Sequence, residues 1–234
     1  MIDFHSHIIP NIDDGSKSMD RTLEILEEAK EAGFTHIIST SHYIENYYEC
    51  TEQERQELLN KIKENSDGIE LFLGSEVYFS ENMIDLLKDK KASTINGSRY
   101  VLFEFSLNSK NMMAKDIVYR LIENNYIPVI AHPERYSFVQ DDIDFIFDLV
   151  EMGALLQANY GSIIGMYGKK AQKTLKKLLK EDVISFLGSD VHRPEQIYPM
   201  IPKAIKKIKK IISEERFEEL STTNAQKVLN DEEI

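Results

Sequence analysis

Histidines and carboxylates supply the most specific pattern in this sequence. His5-Ser-His7 near the start and Asp190-Val-His192 near the end each set two potential ligands two residues apart. In an extended chain, side chains alternate between faces, so residues i and i+2 project together and can reach one ion. His42, Glu76, Glu104 and His132 lie between them, each beside the end of a short β-prone run. Asp14, in Asp13-Asp14-Gly15-Ser16, is a further candidate, although that tetrapeptide alone is an ordinary turn signal. Imidazole nitrogen mixed with carboxylate oxygen suits manganese, iron or zinc, whereas magnesium prefers an all-oxygen shell. Eight or nine such ligands exceed the needs of one ion and imply two or three, with one carboxylate bridging. Ion clusters of this kind, spaced about 3.5–4 Å apart, serve phosphoester hydrolysis by activating a water and clamping phosphoryl oxygens.

Other residues extend or limit that chemistry. Glu104 lies inside Val-Leu-Phe-Glu-Phe, where an unpaired carboxylate would be costly to bury and a metal would resolve the cost. Arg135 follows His132 by three residues and Arg193 adjoins His192, so both are expected at the rim, offering a planar fork to phosphate oxygens. Arg99, before its strand, should face the opposite end, and His36 opens its strand and reads as structural. Tyr43, Tyr47, Tyr48 and Tyr136 are near candidate loops, as packing residues or as stacking surfaces for an aromatic substrate. A cysteine-dependent phosphatase would need Cys, five residues and Arg. Cys50-Thr-Glu-Gln-Glu-Arg55 is one residue short and acidic where phosphate would lie.

The elements that must position these groups alternate regularly. Strands are expected over 2–4, 36–39, 70–73, 100–105, 128–131, 154–158 and 184–187. Helical spacing fills the gaps at 22–32, 52–63, 81–87, 114–124, 143–152 and 169–180, with a further helix at 202–212. Ser16 or Ser18 caps the first helix and Gly33 stops it. Seven βα units with continuously apolar strands imply a parallel sheet closed as a TIM-like barrel, with an open doubly wound sheet as the alternative. In such a barrel the C-terminal strand ends converge on one face. Five of the six histidines fall at those ends, where chance would scatter them over helices and loops.

Composition bounds the remainder. The 234 residues are 42% hydrophobic and 29% charged, as in a soluble globular chain, and no linker or low-complexity tract divides them. One domain, 1–234, is the simplest division. Twenty-eight basic against 40 acidic residues, a net charge of -12, disfavour nucleic acid as a partner. No run is long and apolar enough for a membrane span, and MIDFHSH lacks the basic and apolar regions of a signal peptide, so a cytoplasmic location is expected. A lone cysteine suits that reducing compartment. The lysine-rich stretches 169–180 and 203–210 carry Leu or Ile at helical spacing and read as solvated helix faces, with attraction to an acidic partner or an anionic membrane as the alternative.

These residues resemble the PHP (polymerase and histidinol phosphatase) superfamily, whose pattern is an opening His-x-His, an isolated His, a Glu, another His and a closing Asp-x-His. Here those are His5/His7, His42, Glu76, His132 and Asp190/His192, spread over nearly the whole chain. Within it, the opening Met-Ile-Asp-Phe-His-Ser-His-Ile-Ile-Pro-Asn-Ile-Asp-Asp-Gly-Ser, His132-Pro-Glu-Arg-Tyr136 and Gly188-Ser-Asp-Val-His192 are similar to bacterial manganese-dependent tyrosine phosphatases of the CpsB/YwqE type. The resemblance implies a distorted (β/α)7 barrel, the PHP fold, and a three-ion site. One ion would take His5, His7, Glu76 and Asp190, a second Glu76, Glu104 and His132, a third Asp14, His42 and His192. Manganese is the implied metal, with iron, zinc or magnesium as alternatives. The implied substrate is the phosphotyrosine tail of a cognate bacterial tyrosine kinase, free or membrane-associated, that regulates capsular or exopolysaccharide synthesis. The alternatives are a histidinol-phosphatase-like hydrolase of a small phosphomonoester, a non-catalytic metal-dependent binding module and, least in keeping with the charge, an exonuclease.

Overall fold

The computed structural model describes residues 1–110 and 112–234. In chain order, β1 (Ile2–Ser6) leads to α1 (Met19–Glu31), β2 (His36–Ser39), β3 (His42–Tyr43) and α2 (Glu52–Glu64). Then follow β4 (Glu70–Leu73), β5 (Glu76–Tyr78), α3 (Met83–Lys88), β6 (Tyr100–Glu104), α4 (Ala114–Glu123) and β7 (Ile127–Ala131). The last third holds α5 (Ser137–Asp141), α6 (Asp144–Glu151), β8 (Leu155–Asn159), α7 (Tyr160–Ile164), α8 (Gly168–Lys180), β9 (Phe186–Gly188), α9 (Ile201–Ile208), α10 (Glu214–Glu218) and α11 (Asn224–Leu229). Ser18 caps α1 by accepting from the Arg21 N–H. Thr51 and Glu54 close a reciprocal capping box on α2.

The strands pair in parallel in two sets, β1-β2-β4 and β3-β5-β6-β7-β8-β9. Together they form one curled ring. β2 continues into β3 across residues 40–41, and β4 into β5 across residues 74–75. Backbone bonds carry the pairing through both breaks: Thr40 N–H donates to Ser6 O, Gly74 N–H to Ser39 O and Glu76 N–H to Thr40 O, each at 2.8 Å. A Cβ at position 74 would lie 2.8 Å from Ile95 Cδ1 and 3.3 Å from Thr40 Cγ2, so the kinked crossing leaves room only for glycine. At the other margin, Asp190 N–H donates to His5 O at 2.8 Å and His7 N–H to Val191 O at 2.9 Å, joining the segment after β9 to β1. The result is the expected distorted barrel of seven βα units, opened between β4 and β6, where Ile95 of a short 3-10 turn packs inward.

Its strands are buried on both faces. Ile2, Phe4, Ile38, Tyr100, Leu102, Val129, Ala131 and Phe186 fill the interior, with Phe4 and Phe186 stacked at 4.0 Å. Ala225, Val228 and Leu229 of α11 close the end away from the candidate ligands. The helices α10 and α11 lie beyond the last element expected from sequence; at five and six residues they are too short to show a helical period. The lysines of α8 are exposed, with Lys170 paired to Asp141, and Lys209 pairs with Glu214. Among the described residues no helix is long and apolar enough to cross a membrane.

Candidate metal centre

Six of the seven barrel units deliver their candidate ligands to one end. His5 belongs to β1 and His7 follows it; His42 opens β3, Glu76 opens β5 and Glu104 closes β6, while His132 follows β7 and Asp190 and His192 follow β9. Glu76 lies at the centre. Its Oε1 is 2.8 Å from His132 Nε2, and its Oε2 lies 3.1 Å from His42 Nδ1, 3.2 Å from His5 Nε2 and 3.4 Å from His7 Nε2. Asp190 Oδ1 faces His7 Nε2 and His192 Nδ1 at 3.5 Å and His5 Nε2 at 3.7 Å. Glu104 approaches His42 Nδ1 at 3.5 Å and His132 Nε2 at 3.6 Å. Asp14 Oδ1 faces His192 Nε2 at 3.4 Å and His42 Nε2 at 3.7 Å.

These atoms form four overlapping groups able to hold a cation: His7, Asp14, His42 and His192; His5, His7 and Asp190; His5, Glu76 and His132; and His42, Glu76 and Glu104. Two details fit divalent ions. His5 Nε2 and His7 Nε2 approach to 3.0 Å, which two lone pairs tolerate only with a proton or a cation between them. Among the described residues Glu76 Oε2 and His42 Nδ1 are buried without a hydrogen-bond partner, which is expensive unless a further group satisfies them.

The electrostatics separate the two glutamates. Burial alone would raise the Glu76 carboxyl, but His5, His42 and His132 outweigh it and hold the group well below the usual carboxylate range. Burial, with repulsion from Glu76 and Asp190, holds Glu104 well above that range. Glu76 is thus a standing anion suited to bridging, whereas Glu104 gains its charge readily only beside a cation. Burial pushes His42 down to about 4, leaving a neutral imidazole, the form that ligates metal. Two of the candidates also have left-handed backbones, His132 at φ 32 and Asp190 at φ 56. Such conformations cost about 1–3 kcal/mol each and persist where the surroundings impose them.

A second layer of residues fixes the first. Asp13 is buried: its Oδ2 accepts from His7 Nδ1 at 2.9 Å and from the His42 N–H at 2.8 Å, and its Oδ1 from the Gly15 N–H at 2.9 Å. Asp13 therefore stands behind His7, and Asp14 is the member of the pair that faces the cup. On β8, which carries no candidate ligand, Gln157 contacts His5 and Asn159 contacts Asp190, each at 2.7 Å. Sequence reading passed over both because neutral amides carry no chemistry alone; their i, i+2 spacing in an apolar strand was the available signal. Asp3 was missed likewise. It accepts from the Ser189 N–H at 2.7 Å and from Tyr198 Oη at 2.6 Å, pinning the turn before Asp190.

The cup opens into a cavity of about 340 Å³ lined also by Tyr78, Phe105, Leu107, Asn108 and Arg135. Arg135 Nη1 donates to Asp190 Oδ2 at 2.6 Å, and the guanidinium lies 4.4 Å over the Tyr167 ring. Arg193 differs from its expected position facing the cup: it is exposed, does not line the cavity, and its guanidinium makes no ion pair among the described residues. Tyr43 and Tyr136 are packing residues, the latter accepting from the Phe105 N–H, whereas Tyr48 stacks parallel to His42 and Tyr47 is 71% exposed beside it. His36 stacks on Phe72 and Arg99 pairs with Asp231, both away from the cup. Burial pushes the half-buried Cys50 thiol up, the opposite of what a nucleophile needs. A larger hollow of about 720 Å³, on the outside of β4, holds none of the candidate ligands.

Residues 1–230 match the family model described as capsular polysaccharide synthesis, CpsB/CapC. The tyrosine-protein phosphatase CpsB of Streptococcus pneumoniae is 30% identical over 100% of both chains. The tyrosine-protein phosphatase YwqE of Bacillus subtilis (strain 168) is 32% identical over 82% of this chain and 77% of its own. A crystal structure from work on B. subtilis YwqE and S. pneumoniae CpsB, described as unique metal-dependent tyrosine phosphatases, superposes with a TM-score of 0.91 and 27% identity, covering 100% of this chain and 96% of the other. With its barrel, its cup of imidazoles and carboxylates and its near-complete match to the family model, the chain belongs to the CpsB/CapC family.

Proposed function

We propose that this chain is a metal-dependent protein-tyrosine phosphatase, a phosphoric monoester hydrolase, acting in capsular or exopolysaccharide synthesis. One observation carries the reading: the Glu76 carboxylate lies within 3.4 Å of ring nitrogens from four histidines, in a chain whose relatives are named tyrosine-protein phosphatases. The proposed ligands are His5, His7, Glu76 and Asp190 for one ion, Glu76, Glu104 and His132 for a second, and Asp14, His42 and His192 for a third. The nitrogen-rich donor set favours manganese, iron or zinc over magnesium, and manganese is the proposed metal.

Divalent ions held there would supply an activated water and neutralise the phosphoryl oxygens. The chain's own groups do the rest. Arg135, held against Asp190 and over Tyr167, offers its remaining N–H groups to the phosphate. Arg193, exposed beside His192 and outside the cavity lining, would have to swing inward to reach the phosphate. Tyr78 and Leu107 give the cavity a partly apolar side wall against which a substrate ring can rest. The leaving tyrosinate has a pKa of about 10, so expulsion needs no dedicated general acid. The proposed substrate is the phosphotyrosine tail of a cognate bacterial tyrosine kinase, met in the cytoplasm, with residues 1–234 acting as one catalytic domain.

The test is chelation followed by metal rescue, assayed on a phosphotyrosine peptide and on histidinol phosphate side by side. Chelation should abolish turnover of the peptide and manganese should restore it. A large preference for histidinol phosphate would overturn the substrate assignment, and activity without transition metal would overturn the site.

A further inference from the structure

β8 ends without an imidazole or a carboxylate, alone among the seven barrel units. Its two buried polar side chains instead join two proposed ligands of the same ion. His5 Nδ1 lies 2.7 Å from Gln157 Oε1, Gln157 Nε2 donates to Asn159 Oδ1 at 2.9 Å, and Asn159 Nδ2 donates to Asp190 Oδ2 at 2.7 Å. All four residues are at most 2% exposed, so water does not compete for these bonds.

The direction of the chain is set from one end. An ionised Asp190 can only accept, so Asn159 must present its NH2 group there and its carbonyl oxygen to Gln157. Gln157 must then present its NH2 group to Asn159 and its carbonyl oxygen to His5. That oxygen needs a proton on His5 Nδ1, which leaves the lone pair on Nε2. His5 Nε2 is the nitrogen that faces Glu76 Oε2 at 3.2 Å and Asp190 Oδ1 at 3.7 Å. The same chain divides the work of Asp190. Oδ2 is occupied by Asn159 and Arg135, and Oδ1 is left to face His5, His7 and His192.

We propose that Gln157 and Asn159 are positioning residues that act as one unit, locking the His5 tautomer and the Asp190 carboxylate so that both present a free lone pair to a common ion. This rests on the ligand assignment above. His7, the other histidine of the opening pair, is backed by the Asp13 carboxylate. A third carboxylate behind His5 would add charge beside Glu76 and Asp190; an amide fixes the ring without adding any.

The test measures manganese bound by the full chain at equilibrium, by dialysis against buffered metal and elemental analysis, for the wild type, Gln157→Met, Asn159→Leu and the double variant. Each single change should weaken one ion's binding about 10- to 100-fold while the other ions stay bound. The double variant should be no worse than the poorer single one within about threefold, because either change already breaks the chain. Affinities within twofold of wild type, or losses that multiply in the double variant, would overturn the proposal. The 15N shifts of His5 in the zinc-loaded, diamagnetic protein supply a second readout: a protonated Nδ1 beside a metal-bound Nε2 in the wild type and a mixture in Gln157→Met, with an unchanged wild-type pattern counting against the unit. A wild-type chain that bound no divalent ion would sink the ligand assignment; normal loading of the wild type beside an unaffected Gln157→Met would overturn this inference alone.

Discussion

Glu76 and His132 are 56 positions apart in sequence, yet Glu76 Oε1 and His132 Nε2 meet at 2.8 Å in the base of the cup. The contact depends on the left-handed turn at His132, which swings the imidazole back over the barrel end. His132→Ala removes a proposed ligand while leaving β7 and its neighbours packed. Turnover of an aryl phosphate should fall by more than about 100-fold, because loss of residues merely supporting a ligand already costs 10- to 100-fold. Steady-state rates on purified, manganese-loaded protein check this, and a variant that still turns over at near the wild-type rate would remove His132 from the site.

The two arginines should separate kinetically. Arg135 lines the cavity, is tied to Asp190 and is backed by Tyr167, so its position is fixed before substrate arrives. Preorganised charge of that kind acts on the transition state, and Arg135→Ala should lower kcat by about 100-fold or more. Arg193 is exposed and its guanidinium makes no ion pair among the described residues, so its contact with phosphate must form on binding. Arg193→Ala should raise KM several-fold with kcat little changed. Equal kcat losses in the two variants would mean that the exposed arginine is as fixed in the complex as the buried one.

Ion binding should also stabilise the fold. Asp14, Glu76, Glu104 and Asp190 face one another across the cup, and Glu104, raised first by burial, is raised further by repulsion from Glu76 and Asp190. Cations that bind only the folded chain relieve it. At a concentration 100-fold above its Kd, one such ion adds about 2.7 kcal/mol. For a chain of this size that corresponds to a rise in Tm of roughly 5–10 °C. Thermal melts of chelated protein with and without added manganese test it, and superimposable melts would mean that the ions do not bind the native cup.

What was legible in the sequence follows from what sequence spacing can encode. His5-x-His7 could be read because the two-residue period of an extended chain holds through β1; Asp190-x-His192 has the same spacing, but Asp190 is left-handed, so the turn after β9 rather than strand alternation brings that pair to the cup. Glu104 stood out because a carboxylate in an apolar run demands a partner. The choice between Asp13 and Asp14 was not legible: they are adjacent in a turn, and only its rotation decides that Asp13 reaches His7 Nδ1 while Asp14 faces His192. The kinks at residues 40–41 and 74–75 were not legible because the close packing at Gly74 is against Ile95 and Thr40, contacts that exist only once the barrel has formed. Gln157 and Asn159 escaped notice because their role exists only through His5 and Asp190.

Gly188 gives the last prediction, because it lies where three strands of the site crowd together. It closes β9 between β8 and the end of β1, and a Cβ added there would stand 2.6 Å from His5 Cβ, 2.8 Å from Gln157 Nε2 and 3.0 Å from the His5 backbone nitrogen. Rotating a side chain cannot relieve the first and third contacts, since both involve atoms fixed by the β1 backbone. Gly188→Ala must therefore push β1 and β9 apart or displace Gln157, and either movement disturbs the His5 imidazole. Overpacking of this kind costs about 1–3 kcal/mol, which for 234 residues lowers Tm by roughly 2–12 °C. Manganese content should fall as well, because His5 and Asp190, two proposed ligands, flank the site of the clash. Calorimetry and elemental analysis of the same preparation test both effects, and a variant that melts normally and carries its full complement of metal would show that the β1–β9 junction is looser than these contacts require.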